Sequence, residues 1–354
     1  MKRREFLVKS ALATSGAMLA TSLPLSVFAS QRKDFDKIVN AYYLRAHTYT
    51  MVPHQVRDDL KWMAAIGTNT VSVGILEQDL FAAKENIEII CNEAGKLSMD
   101  VFAVPSRWGG LVAGAPKVPS VFTCQNPQTW VHKSNGKVLK SNISGCISSI
   151  HHPDTYEFME KTTLKMLKTW KVKGVIWDEL KTMGVDYSDS AMKAMGGKPD
   201  KDKQVEANVK FYSRLNQKIK KEFPDVSTHL FIHANVGQKT VEQLAKIEAL
   251  DYFGCDGRPW TIEDGGKLES KGKVLLGKMG GQRFVDAAHR NGKKGLWLIE
   301  NHNMSVVDVP ILKKRLPEVI ANSPEHLIYY YFPRNLENPY SVMNVFKKNL
   351  KSIK

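Results

Sequence analysis

Short apolar runs of strand composition recur eight times along this 354-residue chain, each separated from the next by a longer amphipathic segment. The runs are KIVNAYYL (37–44), TNTVSVGIL (68–76), MDVFAVP (99–105), KGVIWDEL (173–180), HLFIHAN (229–235), DYFGCDG (251–257), KGLWLIE (294–300) and HLIYYYF (326–332). Between them the apolar residues repeat at helical spacing. In HQVRDDLKWMAAIG (54–67), Val56, Leu60, Met63 and Ala64 share one face and Gly67 ends the segment. Strands alternating with helices imply right-handed crossovers and a parallel sheet. Eight units over roughly 320 residues fit a closed (β/α)8 TIM barrel better than an open sheet. The expectation is an α/β chain with one barrel domain over residues 30–354 and a long Gly/Pro/Ser-rich loop after strand three, residues 106–150. No GxGxxG follows the first run, which argues against a dinucleotide fold.

In such a barrel the chemistry sits where the strands end and their loops converge on one mouth. Following each run to its end gives Arg45 and His47, Arg107 and Trp108, Asp178 and Glu179, His233 and Asn235. The later strands give Asp256, Arg258 and Trp260, then Glu300, Asn301 and His302, then Tyr331 and Arg334. Asp178, Glu179, Asp256 and Glu300 are the candidate catalytic residues; the rest, Asn301 and Arg45 aside, are candidates for holding substrate. Carboxylates facing one another across a cleft suit glycosidic bond cleavage. One is protonated and helps the leaving oxygen depart, while another is ionised and attacks the anomeric carbon or activates water. Trp108 and Trp260 offer flat apolar faces for sugar rings, whereas Trp297 lies inside a strand and is expected in the core. Successive strand residues face opposite ways, so Asp178 and Glu179 are not expected to share one role.

The first thirty residues read as a leader. A basic start precedes an apolar stretch, and Val27-Phe28-Ala29 fits signal-peptidase cleavage after Ala29. Arg3 and Arg4, followed by Phe6, Leu7 and Lys9, resemble a twin-arginine export signal, which predicts a periplasmic or secreted protein. No later stretch approaches the ~20 apolar residues of a membrane helix, so no membrane association is expected after the leader is removed. The formal charge is +15, from 51 Lys and Arg against 36 Asp and Glu. The lysines are scattered over helical segments and form no arm, so nucleic acid is not the expected partner. A carbohydrate is, and Arg45, Arg107, Arg258 and Arg334 near the mouth leave room for an anionic one. Cys91, Cys124, Cys146 and Cys255 have no CxxC spacing, which excludes a zinc ribbon; Cys124 and Cys146 flank one polar loop and are placed to pair if oxidised.

Several stretches together resemble exported barrel glycoside hydrolases and their relatives, including the α-L-fucosidase-like and α-galactosidase-like barrels. They are HHPDTYEFMEKTTLKML with KVKGVIWDE, PSRWGGLVAGAP, ALDYFGCDGRPW, NGKKGLWLIENHN and HLIYYYFPRNLENP. The resemblance implies a glycosidase without a cofactor, and two assignments of its acids. Where the nucleophile is an aspartate on strand four, Asp178 matches it and Asp256 matches the acid on strand six. Where strands four and seven supply the pair, Glu179 matches the acid/base and Glu300 the nucleophile, with Asp178 standing where that group has asparagine.

Two other readings remain open from the residues. Glu179, His233, Asp256, Glu300 and His302 are competent ligands for a divalent ion, as in a metal-dependent sugar isomerase or epimerase. A barrel that only binds glycans is the third, since fold alone does not fix activity.

Overall fold

The computed structural model describes residues 36–43, 51–114, 117–259, 263–264, 267–268, 274–277, 280–333 and 337–351. The leader and the candidates Arg45, His47, Trp260 and Arg334 lie outside them. Residues Lys37–Lys354 form one compact unit.

Eight strands close into a barrel: β1 (Ile38–Tyr43), β2 (Thr70–Ile75), β3 (Asp100–Pro105), β4 (Gly174–Asp178), β5 (Ser227–His233), β6 (Tyr252–Gly257), β7 (Lys294–Ile299) and β8 (His326–Tyr331). Each pairs in parallel with its sequence neighbours, and β8 closes on β1. The eight expected strands are therefore all present. The helices that pack around them include α1 (Pro53–Ala64), α2 (Asp79–Ala82), α3 (Lys84–Gly95), α4 (Val121–Gln125), α5 (Pro153–Thr169), α6 (Asp189–Ala194), α7 (Lys201–Glu222), α8 (Gln238–Leu244), α9 (Gln282–Arg290), α10 (Val309–Ala321) and α11 (Pro339–Leu350).

The strand pleat divides the core into two layers. Tyr42, Phe102, Val104, Ile176, Phe231, Tyr252, Leu296, Leu298 and Ile328 fill the barrel interior. Their strand neighbours, such as Val175, Trp177, Phe253 and Leu327, face the helices. On β4 this makes Ile176 and Asp178 inward-facing and Trp177 outward-facing, with its ring N–H donated to Asn216 Oδ1 at 2.9 Å. Trp297 is buried in the outer layer, as its place inside a strand predicts. Burying one such ring contributes about 1.5–3 kcal/mol. At Gly254 a Cβ would fall 1.6 Å from the Leu296 carbonyl oxygen, so only glycine lets β6 lie this close to β7.

α5 starts at Pro153. Proline is preorganised for the first helical turn, and His152 caps it by accepting the Asp154 N–H. The long loop after β3 is not irregular throughout. It holds α4 and a two-residue hairpin, Lys140–Ser141 with Gly145–Cys146. Its anchor is Glu77, just past β2, whose buried carboxylate accepts from Gly109 N (3.1 Å), Ser120 Oγ (2.5 Å) and Phe122 N (2.7 Å). Cys124 and Cys146 form no disulfide with each other.

Candidate active site

The C-terminal ends of β4, β5, β6 and β7 bring Asp178, Glu179, His233, Asp256 and Glu300 to the mouth. Asp178 is the last residue of β4 and Asp256 the fifth of β6, both on inward-facing positions. Glu300 follows β7 and keeps its register, with its N–H donated to the Gly257 carbonyl at 2.8 Å.

Glu179 corrects the expectation drawn from the pleat. Its φ is +41°, in the left-handed region, so strand alternation ends at Asp178 and both acids reach the mouth. The conformation is held from both sides. Glu179 N donates to Phe231 O at 3.0 Å, Ala113 N donates to the carbonyls of Asp178 (2.6 Å) and Glu179 (3.1 Å), and Lys181 N donates to Leu111 O at 2.7 Å. A short antiparallel bridge, Val112 with Leu180, completes the clamp. A non-glycine residue in this region costs on the order of 1–3 kcal/mol and persists where its surroundings over-determine it.

The Glu179 carboxylate lies between His233 and Lys181: Oε1 is 2.8 Å from His233 Nε2, and Oε2 receives Lys181 Nζ. The other nitrogen of His233 faces Asp256 Oδ1 at 3.7 Å. One ligand atom each from Glu179, His233 and Asp256 lies within 4.8 Å of the other two. Glu300 is held in the same way, by Arg258 Nε at 3.2 Å and His302 Nε2 at 2.9 Å. All four carboxylate residues are buried, between 3% and 8% exposed.

Two tyrosines complete the floor of the mouth. Tyr42 donates to Asp178 Oδ2 at 3.4 Å, and its ring lies 5.0 Å from that of Tyr330. Burial pushes the Tyr330 hydroxyl well above its ordinary pKa, and the charges of Asp178, Asp256 and Glu300 and the Tyr42 hydroxyl push in the same direction. Tyr330 is thus a neutral hydrogen-bond donor set among three acids. Asn301, fully buried, fixes its backbone by accepting the Tyr330 N–H (2.8 Å) and donating to the Tyr330 carbonyl (2.9 Å).

Two sequence candidates are placed elsewhere. Trp108 is fully buried with its ring N–H donated to Ile75 O at 2.8 Å, so it packs under the loop and offers no face to a ligand. Tyr331 faces outward, its hydroxyl donated to Asp59 Oδ1 at 2.9 Å beside Trp62. Its neighbour Tyr330 has the inward position, and the apolar run YYY hides that one-residue difference. Arg107, with φ +62°, donates its N–H to Ala113 O and its Nη2 to Gly114 O (3.4 Å), binding the loop to itself. Asn235 is exposed on the turn after β5. Tyr42, Tyr330 and Lys181 were not among the candidates; inward register on β1 and β8 is the signal that finds the first two.

No family model matches the chain, and no curated protein matches it in sequence. Solved structures match in fold. The catalytic domain of a β-amylase from Paenibacillus polymyxa superposes with a TM-score of 0.58 at 9% identity, over 90% of this chain and 98% of that one. A β-galactosidase from Rahnella sp. R3 gives 0.59 at 11% identity, over 91% of this chain and 56% of that one. An α-amylase from Lactobacillus plantarum gives 0.51 at 10%, over 84% and 72%. These neighbours are barrel glycoside hydrolases, and at such identity the likeness establishes the shared barrel.

Proposed function

We propose that the chain is a glycoside hydrolase in which Asp178 is the nucleophile and Asp256 the general acid and base. The observation that carries this reading is the placement of both aspartates at inward-facing ends of β4 and β6, with the Tyr330 hydroxyl within the field of each. Asp178 attacks the anomeric carbon as the glycosidic bond breaks, and Asp256 gives its proton to the departing oxygen. Asp256 then takes a proton from the water that releases the sugar. His233 stands beside Asp256 to exchange that proton with Glu179. The Glu300 carboxylate, oriented by Arg258 and His302, is positioned to hold sugar hydroxyls. The barrel glycoside hydrolases named above share this fold, which supports glycoside hydrolysis as the class of reaction.

The strong positive charge makes anionic glycans the first substrates to try, with desulfated or neutral counterparts beside them. On the leader sequence the proposal includes export, and replacing Arg3 and Arg4 with lysines should retain the chain in the cytoplasm. The chemical test uses aryl glycosides with good leaving groups. Asp256→Ala should still form the glycosyl-enzyme and be rescued by azide, whereas Asp178→Ala should lose turnover on every substrate. Full activity in Asp178→Ala overturns the assignment.

A second reading has its own observation, the clustering of Glu179, His233 and Asp256 ligand atoms within 4.8 Å. Those donors suit a divalent transition metal. Turnover that disappears in EDTA and returns with added zinc or manganese would favour it over the metal-free hydrolase.

A further inference from the structure

Away from the mouth, on the outer wall of the barrel, a cavity of about 400 Å³ opens between α2, α4 and α5. Its walls are Leu80, Phe81 and Ala82 from α2, Val121 and Phe122 from α4, and Phe158 from α5. Phe122 and Phe158 stack with their ring centres 4.2 Å apart, 12° from parallel, and form one flat aromatic side. Phe81 faces them from α2 and is 73% exposed, an arrangement that hydrophobic burial opposes unless something covers it. The rim is basic. Lys161 and Lys165 come from successive turns of α5, and Lys165 Nζ sits 4.0 Å above the Phe81 ring. Lys161 is paired with Glu157, an exposed contact of small worth, while Lys165 has no carboxylate partner among the described residues. Glu77 also borders the cavity, but its carboxylate is turned to the loop donors Gly109, Ser120 and Phe122.

We infer that this cavity is a binding site for a free amphiphilic carboxylate, with an apolar body of about ten carbons between the aromatic walls and its anionic group on Lys165 and Lys161. The volume suits a small molecule. The apolar lining accounts for affinity, and the lysines select the anion over a neutral molecule of the same shape. The ammonium held over Phe81 is already at the rim, so little side-chain freedom is lost when it closes on a carboxylate. The site is separate from the carboxylates of the mouth and does not depend on the reaction catalysed there.

The test is calorimetric titration of the full chain with decanoate and, in parallel, with decanol. Wild type should take one decanoate per chain at least ten-fold more tightly than decanol. Lys165→Glu should lose at least ten-fold for decanoate and leave decanol unchanged. Thr162→Trp, which fills the cavity from α5, should abolish both; Ala82→Trp does the same from α2 if the first variant melts early. Absence of binding to wild type, equal affinity for the two ligands, or undiminished binding in the filled variants would each overturn the assignment.

Discussion

His233 Nε2 lies 2.8 Å from Glu179 Oε1, and the other nitrogen of the same ring, Nδ1, faces Asp256 Oδ1 at 3.7 Å. One imidazole therefore touches the strained residue after β4 and the acid on β6. The contact to Glu179 is at hydrogen-bond distance, whereas 3.7 Å to Asp256 is too long for one.

The first prediction concerns this pair. If His233 exchanges a proton with Asp256 and Glu179 orients it, His233→Ala should lower kcat by roughly 10²-fold, the low end of what positioned proton transfer contributes. Glu179→Gln should fall nearly as far. The double variant should be little worse than either single one, because removing one member already disables the unit. Steady-state kinetics of the three variants check it, and additive losses would separate the two residues' roles.

The barrel was legible because its signal is repeated: eight apolar runs of strand length, each followed by a helical pattern, leave few alternatives. Strand ends were legible for the same reason, and Asp178, Asp256 and Glu300 follow from register alone. The orientation of Glu179 was not. Strand geometry sends it away from Asp178, and the hydrogen bonds from a loop residue, Ala113, 66 residues earlier in the chain, help to hold its positive φ. Trp108 and Tyr331 were misplaced by related causes. A tryptophan after a strand reads the same whether its loop folds over it or away from it, and within YYY nothing local says which ring is inside.

A second prediction lies at the opposite end of the barrel. His326 Nδ1 and His229 Nδ1 are 3.1 Å apart, with Asn40 on one side and Ser227 on the other. Asn40 donates to His326 Nε2, so the proton of His326 sits on Nδ1 and is donated to His229, which donates from Nε2 to Ser227. Burial lowers both pKa values from 6.5, His326 to about 3 and His229 well down as well. A base whose folded pKa is depressed leaves the unfolded chain holding more protons in acid. The stability from each ring is thus full above 6.5 and lost as pH falls below it. Between pH 7.5 and 5.5 each histidine should cost about 1.4 kcal/mol. Asp79, raised by burial to about 6, acts in the opposite direction over the same range. Urea unfolding at both pH values should therefore show His326→Gln with a smaller acid loss than wild type.

A third prediction separates stability from activity. Arg283, at the start of α9, is nine-tenths buried and donates Nη2 to the Ala234 carbonyl, next to His233. Its Nε and Nη1 are buried without hydrogen-bond partners among the described residues, and burial lowers its pKa, with Cys255 opposing. Such an ion is costly to desolvate, so Arg283→Met should melt at the same temperature or higher. Losing the donor to Ala234 should nonetheless loosen the turn that aims His233 and reduce kcat about ten-fold, and Arg283→Lys should recover part of it. A melting curve beside a kinetic assay reads both; a parallel fall in stability and rate would make the residue purely structural.

The last prediction follows the chain from Glu77 to the mouth. Glu77 accepts hydrogen bonds from Gly109, Ser120 and Phe122 in the loop after β3, and that loop then delivers Ala113 to the carbonyls of Asp178 and Glu179. Burial raises the Glu77 pKa while Ser120, Phe122, Gly109 and Val121 pull it down, so the hydrogen bonds work against desolvation. In Glu77→Gln one oxygen becomes an NH2 group that faces donors, leaving buried N–H or O–H groups without an acceptor. The cost should be about 2–4 kcal/mol, since each orphaned buried group costs ~1–3 kcal/mol. Hydrogen exchange should accelerate first at Gly109 and Phe122 and then at Ala113 and Lys181, and turnover should fall with it, because the left-handed turn at Glu179 depends on that loop. Faster exchange confined to Gly109 and Phe122, with unchanged turnover, would show that the loop's anchor and its clamp on Glu179 are independent.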